Sequence, residues 1–323
     1  MELNEFLAEW HNDNPRILVH TSGSTGKPKP LMVEKRRMLN SARITCDFLG
    51  LKPGDTALLC MPLDYIAGKM MVVRSLQRDL RLTTVRPSSH PLADDTLPDF
   101  TFAAMVPMQV YNTLKVPCER ERLMRIRHLI IGGGAISDEL AQMIKTLPNA
   151  VWSTYGMTET LSHIALRRLN GPDASLWYTP FDGVGISLNA EGCLVIDAPE
   201  VCAEPLATND IAQLRTDDRT GKTLFRIKGR KDNVVCSGGI KIQIEEVEET
   251  LRPHLSAPFM IVKRQDEVLG EKAILLTESA DLTHIAEICR NTLPKYWVPR
   301  EFLHIDHLPL TETGKPRRSF TPR

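Results

Sequence analysis

The sequence of 323 residues has no net charge and no long hydrophobic run. Its 40 basic and 40 acidic residues cancel, so no overall charge favours nucleic acid or an anionic membrane surface as a partner. No apolar stretch approaches the length of a membrane span, and residues 1–14 form an amphipathic, acidic helical pattern rather than a signal peptide. We therefore expect no nucleic-acid partner and no insertion into a membrane.

The spacings typical of metal sites and disulfide frameworks are also missing. The seven cysteines include no CxxC pair, and the nine histidines include no HxH or HExxH pattern, which argues against a structural zinc site. An odd, dispersed set of cysteines without an export signal predicts reduced thiols and a cytoplasmic location.

Short apolar runs alternate with amphipathic helical patterns through the first two thirds of the chain, which predicts an α/β sheet with crossover helices. The predicted strands are 16–20, 56–61, 81–85, 100–106, 128–131 and 150–154, and the predicted helices are 34–49, 66–77 and 138–147. Ligands of such sheets bind at the carboxyl ends of the strands. The loops 21–30, 132–135 and 154–160 would lie there.

The character of the chain changes twice after residue 177. Residues 178–225 contain short β segments separated by glycine and proline turns, which predict an appended antiparallel region. A compact α+β pattern then follows, with helices at 243–252 and 282–292 and strands at 259–263 and 272–277. We expect a boundary between Lys228 and Asp232, which gives an N-terminal domain of residues 1–228 and a C-terminal domain of residues 229–323.

Residues 20–30 read HTSGSTGKPKP and predict a phosphate-binding loop after a strand. Glycines let the backbone N–H groups converge, while hydroxyls add donors and lysines add positive charge. This is not a Walker A loop, because Pro28 follows Lys27 where that motif requires Ser or Thr. A solvated turn is the alternative. The candidate phosphate ligands are Thr21, Ser22, Gly23, Ser24, Thr25, Gly26, Lys27 and Lys29.

Three further segments carry residues suited to phosphate or carboxylate chemistry. Residues 153–160 (STYGMTET) place an aromatic ring, a hydroxyl and a carboxylate on one turn, a set that can stack on a base, bind phosphate and hold Mg²⁺. Residues 229–249 contain a charged linker, the turn SGG and an acidic helix; the ordinary interpretation is a hairpin followed by a solvated acidic face. Residues 308–318 (LPLTETGKPRR) present Lys315 directly after a glycine.

In this order the four segments resemble the adenylate-forming superfamily of acyl- and aryl-CoA synthetases, luciferases and peptide-synthetase adenylation domains. The resemblance runs from about Arg16 to Arg318 and includes LPKYWVP at 293–299. It implies a large N-terminal α/β domain with an appended β region and a small, mobile C-terminal α+β domain. It also implies an ATP-dependent, AMP-forming acid–thiol ligase with Mg²⁺ as cofactor. An acyl-adenylate forms first, and a thiol, usually coenzyme A, then displaces AMP.

The resemblance also implies roles for matching residues. Thr158 would contact the α-phosphate, Glu159 would hold Mg²⁺, and Lys315 would bridge the substrate carboxylate and the α-phosphate. The C-terminal domain would rotate about Asp232. Asp218 would bind the ribose hydroxyls with help from Arg230, although Asp217 stands beside it as an alternative. Further nucleotide-site residues would be Gly133, Gly134, Ala135, Tyr155 and Gly156, and the turn brought toward the thiol would be Ser237, Gly238 and Gly239.

Details of the sequence are similar to one branch, the o-succinylbenzoate–CoA ligases of menaquinone biosynthesis. The similar segments are SGGIKI with the following EEVE, residues 178–196, and MPLDYIAG at 61–68, where Tyr65 replaces a family histidine. A dicarboxylic acid needs a cationic partner for the carboxylate that is not activated. Arg74 or Lys69 is the candidate, and an arginine on a solvated helix face is the alternative. The implied acid site comprises Tyr65, Lys69, Arg74 and Gly132.

Other functions remain open from sequence alone: a ligase for another aryl or acyl acid, an enzyme that loads a carrier protein, or a non-catalytic nucleotide-binding protein. Family members usually carry a long region before the phosphate loop, whereas here the loop begins at Thr21. Absence of that region would leave sheet edges uncovered, which motivates the hypothesis of a homo-oligomer.

Overall fold

The computed structural model describes residues 1–20, 30–134, 136–310 and 317–318. The chain forms two units. The first comprises Met1–Ile186, Ile196–Leu206 and Arg215–Phe225, and the second comprises Ser187–Val195, Ala207–Leu214 and Arg226–Arg323. Two short segments that precede residue 228 thus group with the C-terminal part of the chain. The domain boundary at 228–229 stays a prediction.

The first unit is an α/β structure built on a seven-stranded sheet of order β4-β3-β5-β6-β7-β8-β9. The first five strands of this order pair in parallel, and β8 and β9 add antiparallel at one edge. The elements are α1 (Leu3–His11), β1 (Arg16–His20), β2 (Pro30–Glu34), α2 (Lys35–Leu49), β3 (Thr56–Leu59), α3 (Ile66–Arg78), β4 (Arg81–Thr84), β5 (Phe102–Met105), α4 (Pro107–Lys115), α5 (Pro117–Met124), β6 (His128–Ile131), α6 (Asp138–Lys145), β7 (Ala150–Gly156), β8 (His163–Arg168) and β9 (Thr179–Pro180).

The central strands of this sheet are short and almost wholly apolar because both of their faces are covered. Leu58, Ala103 and Leu129 are fully buried in β3, β5 and β6. The predicted strands from 56–61 to 150–154 and the three predicted helices are confirmed, with ends that differ by a few residues. Helices α4 and α5 were not predicted, although Pro107 and Pro117 stand at their first positions, where proline is favoured.

Strands β1 and β2 form a separate antiparallel pair in which His20 faces Pro30. Four further strands form a sheet of order β10-β11-β12-β13. This sheet confirms the predicted β region after residue 177. Its strands are β10 (Gly185–Leu188), β11 (Cys193–Asp197), β12 (Leu206–Thr216) and β13 (Thr223–Arg230).

The second unit contains a five-stranded sheet with two helices. Side chains alternate along its strands: Ile261 and Leu275 belong to a core shared with the helices, whereas Met260 and Ile274 pack in a second cluster. Within the described ranges, no helix of either unit has the length and apolar character of a membrane span. The elements are β14 (Val234–Ser237), β15 (Ile240–Gln243), α7 (Ile244–Leu251), β16 (Phe259–Asp266), β17 (Gly270–Thr277), α8 (Leu282–Thr292) and β18 (Glu301–His304).

Candidate active site

A tight turn at the carboxyl end of β7 presents the candidate residues Thr158 and Glu159. The turn is a short 3-10 helix, and its last residue, Thr160, is fully buried. The Thr160 hydroxyl lies 3.0 Å from the Met157 backbone nitrogen and 2.7 Å from the Ser162 carbonyl oxygen, so it holds both ends of the turn. Thr158 is buried as a result, while the Glu159 side chain is exposed.

The glycine loop after β6 lies directly beside β7. The Gly132 backbone N–H donates to the Met105 carbonyl of β5 at 3.1 Å, and a Cβ atom at Gly132 would collide with the Thr154 hydroxyl of β7. A larger residue at position 132 would force the Thr154 side chain to move, and glycine avoids this. The loops after β6 and β7 meet at the carboxyl edge of the sheet, as their predicted placement required.

Tyr155 belongs to an aromatic cluster in the same unit. Its ring centroid lies 5.7 Å from that of Tyr178 and 5.0 Å from that of Phe225, and the Tyr178 hydroxyl is hydrogen-bonded to Ser153 at 2.9 Å. The cluster fixes the half-buried Tyr155 ring at the end of β7. Such a ring offers a flat apolar surface of the kind that a nucleotide base requires.

The three candidate acid-site side chains on and before α3 differ sharply in environment. Tyr65 is 40% exposed, whereas Lys69 and Arg74 are each only 2% exposed. The Lys69 ammonium lies 3.6 Å from the Glu9 carboxylate and 5.1 Å from the centre of the Phe6 ring, so helix α1 already provides its anionic partner. Because Arg74 is buried, the alternative that it lies on a solvated helix face is wrong.

Arg74 is a buried cation that lacks an anionic partner among the described residues. Its Nη2 donates to the Ser162 hydroxyl at 2.6 Å, and its Nη1 lies 3.8 Å from the Met71 sulfur. Within the described ranges, no carboxylate forms an ion pair with it, and its Nε has no hydrogen-bond partner. Burial lowers the pKa of Arg74 to about 10, which still leaves the guanidinium charged at neutral pH.

Ser162, His163 and Thr45 extend the environment of Arg74 and were missed by sequence reasoning. His163 Nδ1 lies 3.1 Å from the Ser162 hydroxyl, and its Nε2 lies 3.1 Å from the Thr45 hydroxyl. Burial, and secondarily the charge of Arg74, lowers the pKa of His163 well below its usual range. No spacing in the sequence signals this group, because its members come from α2, α3 and the start of β8.

The predicted ribose ligand Asp218 is exposed in the turn between β12 and β13. Its neighbour Asp217 accepts hydrogen bonds from the Arg219 backbone at 3.1 Å and the Thr220 hydroxyl at 2.7 Å, which commits Asp217 to the turn. Arg230 forms its ion pairs elsewhere: its Nη1 is 3.5 Å from Asp210 and its Nη2 is 3.1 Å from Asp232.

A missed signal identifies Asp210 as a second candidate. Thr208-Asn209-Asp210 repeats the threonine–residue–aspartate pattern that was assigned to 216–218. Asp210 is mostly buried beside Arg230, and the neighbouring Asn209 amide donates to the Asp232 carboxylate at 3.3 Å. The second unit thus gathers an aspartate, an asparagine and an arginine around the predicted hinge residue Asp232.

The turn Gly238-Gly239 connects β14 and β15 as a two-residue hairpin loop. Both glycines have positive φ angles, of 57° and 82°, as such loops require. The hairpin predicted as the ordinary interpretation is therefore confirmed. A role of this turn toward a thiol stays a prediction.

Several predicted site residues lie outside the described residues. These are Thr21, Ser22, Gly23, Ser24, Thr25, Gly26, Lys27, Lys29, Ala135 and Lys315.

Comparison with known proteins decides the family. The model of the AMP-binding enzyme family matches residues 4–203, well over half of the chain. The chain belongs to the AMP-binding enzyme family. A solved structure from Dyadobacter fermentans, an acyl-CoA synthetase (AMP-forming)/AMP-acid ligase II-like protein, is 34% identical, covers 98% of this chain and 91% of its own, and gives a TM-score of 0.67.

Curated relatives of this AMP-binding enzyme include the 2-succinylbenzoate–CoA ligase of Bacillus mycoides, which is 25% identical over 95% of this chain and 69% of its own length. The solved o-succinylbenzoate coenzyme A synthetase of Bacillus subtilis, in complex with ATP and magnesium ion, is 23% identical, with a TM-score of 0.74 over 94% of this chain and 68% of that one. This second similarity is one of fold. The expected α/β fold class, the resemblance to this group and the expectation of an AMP-forming ligase are confirmed. The mobility of the C-terminal domain stays a prediction.

Proposed function

We propose that this AMP-binding enzyme is an acid–CoA ligase that activates o-succinylbenzoate, in menaquinone biosynthesis. In the first step a carboxylate oxygen of the acid attacks the α-phosphorus of ATP, and pyrophosphate leaves. In the second step the coenzyme A sulfur attacks the acyl carbonyl carbon, and AMP leaves. Curated relatives with this activity support the proposal by similarity.

The observation that carries the choice of acid is the buried Arg74. A guanidinium with almost no exposure, no carboxylate partner in the described part of the chain and an unsatisfied Nε requires an anion when the site is filled. A carboxylate that is not activated would supply this anion through charge-assisted hydrogen bonds. An acid with only one carboxylate would leave Arg74 unpaired, because its single carboxylate is consumed at the α-phosphate.

The turn after β7 fits Mg²⁺ held mainly through phosphate. Glu159 offers one exposed carboxylate, and the described residues contain no cluster of three or more metal-binding side chains. Mg²⁺ in nucleotide sites is typically bound by one or two carboxylates together with phosphates and water. In our proposal Glu159 would hold the ion, whose charge would offset that of the phosphates, and Thr158 would contact the α-phosphate. Tyr155 lines the adenine beside the glycine loop.

For the ribose we propose Asp210 in place of Asp218. Asp210 is the aspartate that Arg230 contacts, whereas Asp218 is exposed in a turn. Asp210→Asn should raise the KM for ATP about tenfold, as expected when a buried charged acceptor is lost, and Asp218→Asn should leave it unchanged. The reverse pattern would restore Asp218 to the role. Thermal denaturation of both variants controls for the ion pair that Asp210→Asn weakens.

Pyrophosphate release tests the proposed substrate. The enzyme is mixed with ATP, Mg²⁺ and a panel that contains o-succinylbenzoate, its two monocarboxylate analogues that each keep one carboxylate, simple aryl acids and fatty acids. We expect release with o-succinylbenzoate and a thioester product when coenzyme A is added. No release with any acid would favour a non-catalytic nucleotide-binding protein.

A ligase for another acid is the second candidate. It is favoured by the Dyadobacter fermentans structure, which is more similar in sequence and whose description names no particular acid. Release confined to simple aryl or fatty acids would select it. Adenylate formation without transfer to coenzyme A would instead favour an enzyme that loads a carrier protein.

A further inference from the structure

A chain of four hydrogen bonds connects Arg74 to the backbone of α2. It runs from Arg74 Nη2 to the Ser162 hydroxyl at 2.6 Å, then to His163 Nδ1 at 3.1 Å. From His163 Nε2 it continues to the Thr45 hydroxyl at 3.1 Å and ends on the Ser41 carbonyl oxygen at 3.1 Å. Arg74, His163 and Thr45 are buried, so water does not compete freely for these bonds.

The direction of each bond follows from the two ends of the series together with the neutral state of His163. A guanidinium can only donate, so the Ser162 oxygen accepts from Arg74. A carbonyl can only accept, so the Thr45 hydroxyl gives its proton to Ser41. The Thr45 oxygen is then free to accept from His163 Nε2, and the Ser162 hydroxyl is free to donate to His163 Nδ1. Burial lowers the pKa of His163 well below its usual range, so at neutral pH the ring carries one proton. The contact with Thr45 requires that proton on Nε2, and Nδ1 then accepts from Ser162.

We propose that His163, as the Nε2–H tautomer, is a positioning residue for substrate recognition. It orients the Ser162 hydroxyl, and the Ser162 oxygen in turn holds the Arg74 guanidinium in place for the carboxylate that is not activated. This inference rests on the proposed function, because it takes Arg74 as the carboxylate-binding group. Ser162 is the only oxygen partner of the guanidinium among the described residues. The buried Nε–H, which lacks a partner, is the donor left for the substrate.

This series of hydrogen bonds also connects the proposed acid site to the proposed nucleotide site. Ser162 follows the turn that carries Thr158 and Glu159, and its carbonyl oxygen bonds to the buried Thr160 hydroxyl of that turn. His163 begins β8 and pairs with Gly156 at the end of β7. The position of Arg74 is therefore set relative to the residues proposed to meet ATP, which a reaction between acid and α-phosphate requires.

Three substitutions in the full chain test the role of His163. His163→Leu removes both hydrogen bonds and should raise the KM for the dicarboxylic acid about tenfold, as expected when a charged group loses its anchor, while the KM for ATP stays unchanged. His163→Asn keeps an acceptor near the Nδ1 position and should recover most of the loss. His128→Leu is the matched control, because His128 is half-buried at the amino end of β6, away from the carboxyl edge of the sheet.

A KM for the acid that is the same in His163→Leu and the wild type would overturn the inference. An equal increase in the KM for the acid in His163→Leu and His163→Asn would also overturn the inference, since a purely structural role does not depend on the retained acceptor.

The tautomer of His163 gives a readout that needs no substrate. Nitrogen-15 NMR correlation spectra of the wild type should show a proton on Nε2 and an unprotonated Nδ1, with His163→Asn used to assign the signals. A proton on Nδ1 at neutral pH would overturn the inference, whatever the activity. A wild type that activates no dicarboxylic acid would refute the proposed function, and the NMR signal would still decide whether His163 orients Ser162 toward Arg74.

Discussion

At the scale of single residues, the protonation states of the site are set by burial. Arg74 stays charged although burial lowers its pKa to about 10, because that value lies far above neutral pH. His163 stays neutral because burial and the nearby guanidinium lower its pKa well below 6.5. A charged donor next to a neutral histidine is therefore the stable arrangement at physiological pH.

The lowered pKa of His163 predicts a dependence of stability on pH. Below about pH 6.5 the unfolded chain binds a proton at this histidine that the folded chain does not, so the free energy of unfolding falls as the pH falls. One such proton changes that free energy by at most about 1.4 kcal/mol per pH unit. His163→Asn should flatten the slope between about pH 5 and pH 6.5, as measured by urea denaturation.

His128 provides the comparison for this measurement. Burial, and then Arg127 and Arg168, lower its pKa as well, so it contributes a slope of the same sign. His128→Asn should remove the contribution of His128 to the pH dependence of the free energy of unfolding. An unchanged slope in His163→Asn would contradict the account of a neutral, buried His163.

Some of the candidate site was predictable from residue types alone, and some was not. Glycines and hydroxyls in a loop, or a threonine and glutamate on a turn after a strand, signal their chemistry locally, and Arg74 was found by its spacing in a resembling segment. Ser162, His163 and Thr45 were not predictable, because their role exists only where α2, α3 and β8 meet. Asp210 was missed because the same short pattern occurs twice, and only the contact with Arg230 separates the two copies.

At the scale of elements, helix α7 differs from its prediction. Its acidic residues were expected to form a solvated face, but Glu248 is buried and binds Arg318 through two hydrogen bonds of 2.6 and 2.7 Å. Glu248 also accepts from the Ile261 backbone at 2.7 Å, and Arg318 donates to the Ile261 carbonyl at 2.6 Å. This paired group fastens the chain end around residue 318 to α7 and β16.

Loss of Arg318 should therefore destabilise the second unit. Arg318→Met leaves Glu248 as a buried carboxylate without its cation, which should cost about 3 kcal/mol, and the added change Glu248→Gln should recover part of it. Hydrogen exchange of peptides from β16 and β17 measures the effect. Lys231→Met is the control, since its pair with Glu191 also belongs to the second unit but is exposed and should contribute much less to stability. Equal effects of the two substitutions would refute the anchoring role.

Elements with a strong local signal were predicted well. The helices at 66–78 and 282–292 and the buried strands have the right period and recognisable ends. Helices α4 and α5 were missed because they are short, nine and eight residues, and follow directly on one another. Strand β8 was missed because its antiparallel pairing depends on the partner strands β7 and β9 rather than on its own pattern.

At the scale of the whole molecule, the proposed reaction divides between two units. Thr158, Glu159 and Arg74 belong to the first unit, and Asp210, Arg230 and Asp232 belong to the second. The proposed rotation about Asp232 assigns Lys315 to the first half-reaction only. Such a division requires both units in one chain, which a simple nucleotide-binding protein would not need.

Separate assays of the two half-reactions test this division. Lys315→Ala should lower the rate of pyrophosphate release at least about a hundredfold, because the charge that bridges the carboxylate and the α-phosphate is lost. The same variant should still transfer a supplied acyl-adenylate to coenzyme A at a rate near that of the wild type. Equal loss in both assays would refute the assignment of Lys315 to adenylation.

The most direct test of the central claim, that buried Arg74 selects an acid with a second carboxylate, is the kcat/KM for pyrophosphate release with o-succinylbenzoate and with its two monocarboxylate analogues. The account predicts that the wild type prefers o-succinylbenzoate, and that Arg74→Met reduces kcat/KM for it by at least about tenfold. The same substitution should change little for the analogue that keeps the activated carboxylate. An equal loss for all acids in a folded Arg74→Met variant, or a wild type indifferent to the second carboxylate, would contradict it.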